Sequence, residues 1–294
     1  MDNQRKRNKT RRKSGGKKRK KRSGPRLGDH RVGILVTSMI LTAAFIFIFC
    51  AFYVVTGNYS GLGDKEKFSH NPYHNAAFYS ENGFRNYNDG TYHSAAGIDV
   101  STFQHEIDWE KVKKDGVQFT MIRVGYSSTD SGAIHIDDRY SENIRGARRA
   151  GIDTGVYFFS QAATTEEAVK EAKFVIRHIR GRGITYPVAF DMEHTENDRI
   201  SGLTNLERTE IADAFCTIIK QHGYQPVVYG NPTWLMGEVE LPYLSQYPIW
   251  LAHYTDRTSF PLKYVMWQYT DSGTVDGIKG KVDKDIYIKK YNVN

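Results

Sequence analysis

Cysteine is nearly absent: the 294 residues hold two, Cys50 and Cys216. Cys50 falls in an apolar run and Cys216 in a predicted helix far along the chain, so no disulfide is expected. Histidine supplies no metal site either. His70, His74 and His93 match no compact ligand spacing, and no clustered acids join them, so neither a metal nor an organic cofactor is implied. No internal repeat stands out.

Acidic residues are scarce at the start. Residues 1–31 carry 15 Lys and Arg against Asp2 and Asp29, which leaves 26 basic and 31 acidic residues for the rest. The formal charge of +8 therefore hides a mildly acidic body behind a basic tail. That tail is too charged to bury anything and reads as disordered. Charge then vanishes: Val32 to Val55 is a run of 24 residues without a charged side chain, long enough as a helix to cross a hydrocarbon core of about 30 Å. The basic flank places the N-terminus in the cytoplasm and the remainder outside a single-pass cell membrane anchor. Contact with anionic lipid headgroups is then the cheapest role for the tail, and no nucleic acid is expected as a partner. A cleaved signal peptide would carry a shorter apolar region, about 7 to 15 residues, ending in small residues. A lipoprotein reading of Cys50 fails on the bulky Ile48 and Phe49 before it.

Residues 56–95 are rich in Gly, Asn, Ser and Tyr without a sustained period, and read as an extracellular stalk. Their aromatics, among them Phe68, Tyr73, Phe78, Phe84, Tyr87 and Tyr92, are unusual for a linker, and some are expected to pack on the domain that follows.

From residue 96 to 294, strand-like segments alternate with helix-like ones. The strands are "GIDVS", "FTMIRVGY", "TGVYFFS", "YPVAFDME", "PVVYGN", "YPIWLAHY", "VMWQYT" and "VDKDIYI". Between them lie "DWEKVKKDG", "DRYSENIRGARRAG", "TEEAVKEAKFVIRHIRG" and "NLERTEIADAFCTIIKQHG", several with apolar residues three and four apart and glycine at the end. The pattern predicts an α/β fold with a mostly parallel sheet, closed or nearly closed as a TIM-like β/α barrel, whose last units carry short loops in place of helices.

Along "YPVAFDMEH", Ala189, Asp191 and Glu193 share one face, and Val188, Phe190 and Met192 the other. The second set suits packing against helices; the first suits a barrel interior, with both carboxyls at the C-terminal mouth. Burial and mutual repulsion there raise one pKa, and a protonated acid beside an ionised one is what glycosidic cleavage requires. Asp99, Asp283 and Asp285 fall at neighbouring strand ends, together with Tyr126, Tyr157, Tyr229, Trp250, Tyr254, Trp267 and Tyr269. Sugar rings stack on such flat faces, so acids ringed by Tyr and Trp suit a carbohydrate cleft. Arg123 reads equally as a grip on a wall carboxylate or as half of a structural ion pair.

"GIDVSTFQ", "FTMIRVGYS", "GVYFFS", "AFDMEH", "VVYGN", "PIWLAHY", "MWQYT" and "KVD", in this order, resemble the glycoside hydrolase family 25 lysozymes, the Chalaropsis-type muramidases. The resemblance covers roughly residues 96–288. It implies an irregular, flattened β/α barrel that hydrolyses the β-1,4 bond between N-acetylmuramic acid and N-acetylglucosamine in peptidoglycan. By the family pattern Glu193 is the proton donor, Asp191 its neighbouring carboxylate, and Asp99 and Asp283 the remaining site acids. Asp283 is chosen over Asp285 because it follows "GKV" directly. Asp191 then stabilises developing positive charge, either at the sugar or by orienting its acetamido group; the latter would give retention without a covalent enzyme intermediate. One departure stands out: the family often has Tyr-His-Phe where Tyr157, Phe158 and Phe159 stand. A second reading is a catalytically silent wall-binding scaffold of an envelope-spanning assembly, whose mark would be loss of Glu193 or Asp191. A chitinase-like barrel would show a longer series of alternating aspartates. The tether suggests local opening of the wall beside an envelope or secretion machinery.

Overall fold

The computed structural model describes residues 61–63 and 67–291. The expected basic tail, the membrane helix with Cys50, and residues 56–60 of the stalk lie outside the described residues. Among those described, no helix is long and apolar enough to cross a membrane.

Among the described residues, eleven strands and four α-helices follow one another. They are β1 (Phe78–Glu81), β2 (Phe84–Tyr87), β3 (Tyr92–Val100), α1 (Trp109–Lys114), β4 (Phe119–Ser127), β5 (Ile134–Ile136), α2 (Tyr140–Arg149), β6 (Asp153–Phe159), α3 (Thr165–Ile179), β7 (Val188–Asp191), α4 (Asn205–Gln221), β8 (Pro226–Gly230), β9 (Ile249–Ala252), β10 (Met266–Gly273) and β11 (Val282–Lys290). Parallel pairing runs from β3 through β4, β6, β7, β8 and β9 to β10. Strand β11 enters antiparallel between β10 and β3. Because β3 pairs with β11 on one side and β4 on the other, the ring closes, and β5 hangs on β4 outside it. The expected barrel is thus present. Its last strand runs against the others because β10 and β11 are joined by a short loop, with no helix to carry the chain back across the sheet.

The helices start and stop where local chemistry dictates. Thr164 caps α3 by accepting from the Glu167 amide; Glu166 and Glu167 occupy its first turn, and Arg177 and His178 its last, each sign matching the helix dipole. Thr204 and Glu207 form a capping box on α4. The inner faces pack on the outside of the ring, as where Phe215 of α4 meets Phe190 of β7 at 5.2 Å. Inside the ring lies a separate core containing Phe119, Met121, Ala189, Val227, Tyr229, Trp250 and Met266. Two glycines make room for it: a Cβ on Gly97 would lie 2.3 Å from the Phe119 ring, and one on Gly155 2.4 Å from Met121 Sδ. The alternation expected in β7 holds, with Val188, Phe190 and Met192 in the outer core and Ala189 in the inner one.

The stalk needs correction over residues 68–95, which belong to the folded body. Tyr73 is buried against the rings of Tyr87, Tyr92 and Tyr264, and its hydroxyl donates to the Tyr264 carbonyl at 2.6 Å. Phe84 and Tyr87 of the β1–β2 hairpin are buried as well. Phe78 meets Trp267 edge-on at 5.3 Å, and Lys284 Nζ lies 4.3 Å from the Phe84 ring. Strands β10 and β11 have no helix of their own, and the hairpin covers them instead. The aromatics noted in the sequence do this packing; the Gly, Asn and Ser content around them forms the turns.

Candidate active site

The strand ends at one mouth of the barrel bring four carboxyls together. Asp99 is the last but one residue of β3 and is paired in register with Asp283 of β11; Asp191 closes β7, and Glu193 stands two residues beyond. All four line one cleft of about 320 Å³, joined by a fifth carboxyl, the exposed Asp271 of β10, with Tyr157, Phe159, Tyr229, Trp250, Tyr254 and Gln268 among its walls. Tyr229 and Trp250 meet edge-on at 4.8 Å, and Tyr157 lies 6.1 Å from Trp250, so an aromatic floor supports the acids.

Burial dominates the electrostatics. It pushes Asp191 well above the usual carboxylate range, helped by repulsion from Glu193. Burial also raises Glu193, while a hydrogen bond with Asp191 acts the other way. The two therefore titrate as a pair that holds a proton between them. Asp191 Oδ1 is buried and has no hydrogen-bond partner. Burial and then Asp99 push Asp283 up to about 9. Asp99 is raised by burial and by Asp285; its Oδ2 accepts from Gln268 Nε2 at 2.8 Å, and Gln268 Oε1 accepts in turn from Tyr229 and Tyr254 at 2.9 and 3.0 Å. Of the two aspartates left open by the sequence, Asp283 lines the cleft. Asp285 lies a layer deeper and wholly buried, with Oδ1 accepting from Trp250 Nε1 at 2.8 Å.

Glu193 lies past the end of regular pairing, so its backbone is held by other means. Ser160 N donates to the Asp191 carbonyl at 2.7 Å, and Gln161 Nε2 donates to the Glu193 carbonyl at 3.1 Å. Gln161 is itself gripped: its Oε1 accepts from Arg199 N and its carbonyl from Arg199 Nη1, at 3.2 and 2.9 Å. Arg199 is fixed by a two-pronged pair with Glu167 at 2.9 and 3.0 Å. Buried Glu171 accepts from Ser127 and Ser160 beneath this strap.

The expected aromatics divide. Tyr157, Tyr229, Trp250 and Tyr254 line the cleft, but only Tyr254, 53% exposed, presents its ring at the rim, with its hydroxyl on Gln268. Tyr126 lies in an adjoining hollow of about 630 Å³ that shares Phe103, Arg123 and Phe159 with the cleft. Trp267 is not a cleft residue. It is fully buried in the outer core, its Nε1 bonded to the His253 carbonyl at 2.8 Å, because the strand turns Gln268 inward in its place. Arg123 lines the cleft yet forms a buried ion pair with Asp137 at 2.9 Å, and its guanidinium lies 5.0 Å from the Phe103 ring. Phe158, at the position where the family often has histidine, packs outward against Phe174 and Phe215 and does not reach the cleft. Sequence reasoning missed Gln268, Phe103 and Gln161. Alternation from Met266 points to Gln268; exposure marks Phe103, at 72%; nothing local marks Gln161.

A closed β/α barrel with paired carboxyls and aromatic walls at the C-terminal mouth is the layout of a glycoside hydrolase. The chain belongs to the glycosyl hydrolases family 25, whose pattern matches residues 98–278. It is 29% identical to lysozyme M1 of Streptomyces globisporus over 64% of this chain and 66% of that one. To the autolytic lysozyme of Clostridium acetobutylicum it is 27% identical, over 64% of this chain and 54% of the relative. Among solved structures, the modular autolysin LytC of Streptococcus pneumoniae superposes with a TM-score of 0.61 at 27% identity, covering 72% of this chain. The match spans only 52% of LytC, about half its length.

Proposed function

We propose that this chain is a membrane-tethered N-acetylmuramidase that cuts the β-1,4 bond between N-acetylmuramic acid and N-acetylglucosamine in peptidoglycan, on the outer face of the membrane. The observation that carries the reading is the Asp191 and Glu193 pair, whose two carboxyls line one cleft at the barrel mouth. Relatives named as lysozymes support it, as does LytC, which has been solved with a synthetic peptidoglycan ligand. The two adjoining hollows suit an extended glycan, and the exposed Phe103 and Tyr254 offer faces for its sugar rings.

Glu193, the less buried of the pair, donates its proton to the departing sugar oxygen and then serves as base toward water. As the substrate arrives, the proton of the pair passes from Asp191 to Glu193, which leaves Asp191 ionised to stabilise the developing positive charge. Its unpartnered Oδ1 suits an acetamido N–H, which would hold that group for attack from within the substrate and give retention without an enzyme ester. Asp99, tied to Gln268, and Asp283 bind sugar hydroxyls and tune the pair. The test is digestion of purified peptidoglycan by the full chain, with mass analysis of the sugar at each new reducing end. N-acetylmuramic acid ends are expected; N-acetylglucosamine ends, or none, would refute the assignment.

Gln161 is a positioning residue in this scheme. Gln161→Ala should lower kcat about 10- to 100-fold through misplacement of Glu193, with KM little changed. A rise in KM at constant kcat would show that the strap serves binding instead.

A further inference from the structure

At the end of the barrel opposite the acids, charge of the other sign collects. Helices α2 and α3 run back across the sheet, so the turns that follow them lie at the N-terminal ends of β6 and β7. Arg148 and Arg149 end α2, Arg182 sits in the turn after α3, and with Arg145 and the buried Ile144 they line a cleft of about 360 Å³. All four arginines are exposed. Among the described residues, no carboxylate lies within ion-pairing distance of any of them; Glu142, the acid in the first turn of α2, is held by Arg139. The two helix ends offset only about half a charge each, so most of this charge is unmatched.

The turn is shaped around one of these side chains. Gly183 has φ +66°, and a Cβ there would lie 2.8 Å from Arg148 Nη2, so the glycine leaves room for the guanidinium to lie across the turn. Lysines flank the same end, with Lys113 Nζ bonded to the Gly151 carbonyl at 2.8 Å and Lys289 Nζ to the Tyr186 hydroxyl at 3.0 Å.

We infer that this cleft seats the phosphate of anionic phospholipid headgroups, so that the base of the barrel rests on the membrane while the acidic mouth faces away from it. Guanidinium forks match phosphate oxygens in pairs, and a basic surface is drawn to an anionic leaflet. The inference rests on the tethered reading only for nearness to a bilayer.

The test compares the full chain in nanodiscs of phosphatidylcholine alone and in discs that also contain phosphatidylglycerol, reading hydrogen exchange over residues 144–152 and 180–186. Anionic discs should slow exchange there about fivefold or more, and the double variant R148E/R182E should abolish the slowing while keeping hydrolysis. Equal exchange in both discs would overturn the inference, as would slowing that survives the double variant. If soluble poly(glycerol phosphate) slows exchange on neutral discs and phosphatidylglycerol does not, the membrane is replaced by a wall polymer. Co-elution with the neutral discs reports on the tether separately. Should it fail, the same exchange comparison with and without anionic vesicles decides the cleft.

Discussion

Glu193→Gln is expected to cut the release of reducing ends by about 10²- to 10⁴-fold, the usual contribution of a positioned general acid. The amide has the same shape and cannot yield an acidic proton. Folding should be spared, because Gln161 holds the backbone carbonyl of residue 193 and not its side chain. The variant should still sediment with insoluble peptidoglycan. It should also change how Asp191 titrates, since Glu193 is the largest influence on that carboxyl after burial; without it the aspartate moves down toward its ordinary range. For the unmodified chain, the raised Glu193 keeps its proton to higher pH than an ordinary glutamate does, and activity falls as pH rises through that group's pKa. Near-normal turnover by the variant would remove Glu193 from the role of acid, and a silent wall-binding scaffold would show no turnover in either form.

The second large effect concerns stability. Asp285→Asn should stabilise the fold at pH 7 by up to about 4 kcal/mol, the linkage value for a carboxyl near 3.9 in the unfolded chain and near 8 in the folded one. Asp285 is pushed up to about 8 by burial, against which the Trp250 N–H acts, and its Oδ2 has no hydrogen-bond partner. Below about pH 4 both states hold the proton and the group costs nothing. As pH climbs from there toward 8, the unfolded chain ionises and the folded one does not, so stability is lost across that window. Asparagine stays neutral in both states and keeps an oxygen for Trp250. Denaturant titrations at pH 4 and pH 7 should show the variant's advantage growing with pH; an equal or negative difference at pH 7 would show that the charge is accommodated.

Most of the site could be read from the sequence because its logic is that of alternation. Ala189, Asp191 and Glu193 point one way by backbone geometry alone, and the ring of strands places Asp99 beside Asp283 once β11 is recognised. The same rule, applied to β10, separates Gln268 from Trp267; judged by residue type alone, Trp267 is misplaced on the sugar side. Asp283 and Asp285 share a face, and only depth in the barrel tells them apart. What could not be read is non-local. Gln161 precedes Glu193 by a whole helix and meets it through a side-chain amide, and Arg123 finds Asp137 across a turn. The hairpin at residues 78–87 is hidden because its composition is that of a linker, while its burial depends on the bare outer faces of β10 and β11.

The ring is sealed by its last strand, inserted between β10 and the first. As the polypeptide leaves the ribosome, β3 and β4 can pair early, but β3 and β10 keep open edges until residues 282–290 have emerged. Asp283 arrives on that same strand, so closure of the wall and completion of the acid cluster are one event. A nascent or truncated chain that stops short of it has two unpaired edges, the form most prone to join with its neighbours, and lacks one of the five carboxyls of its cleft.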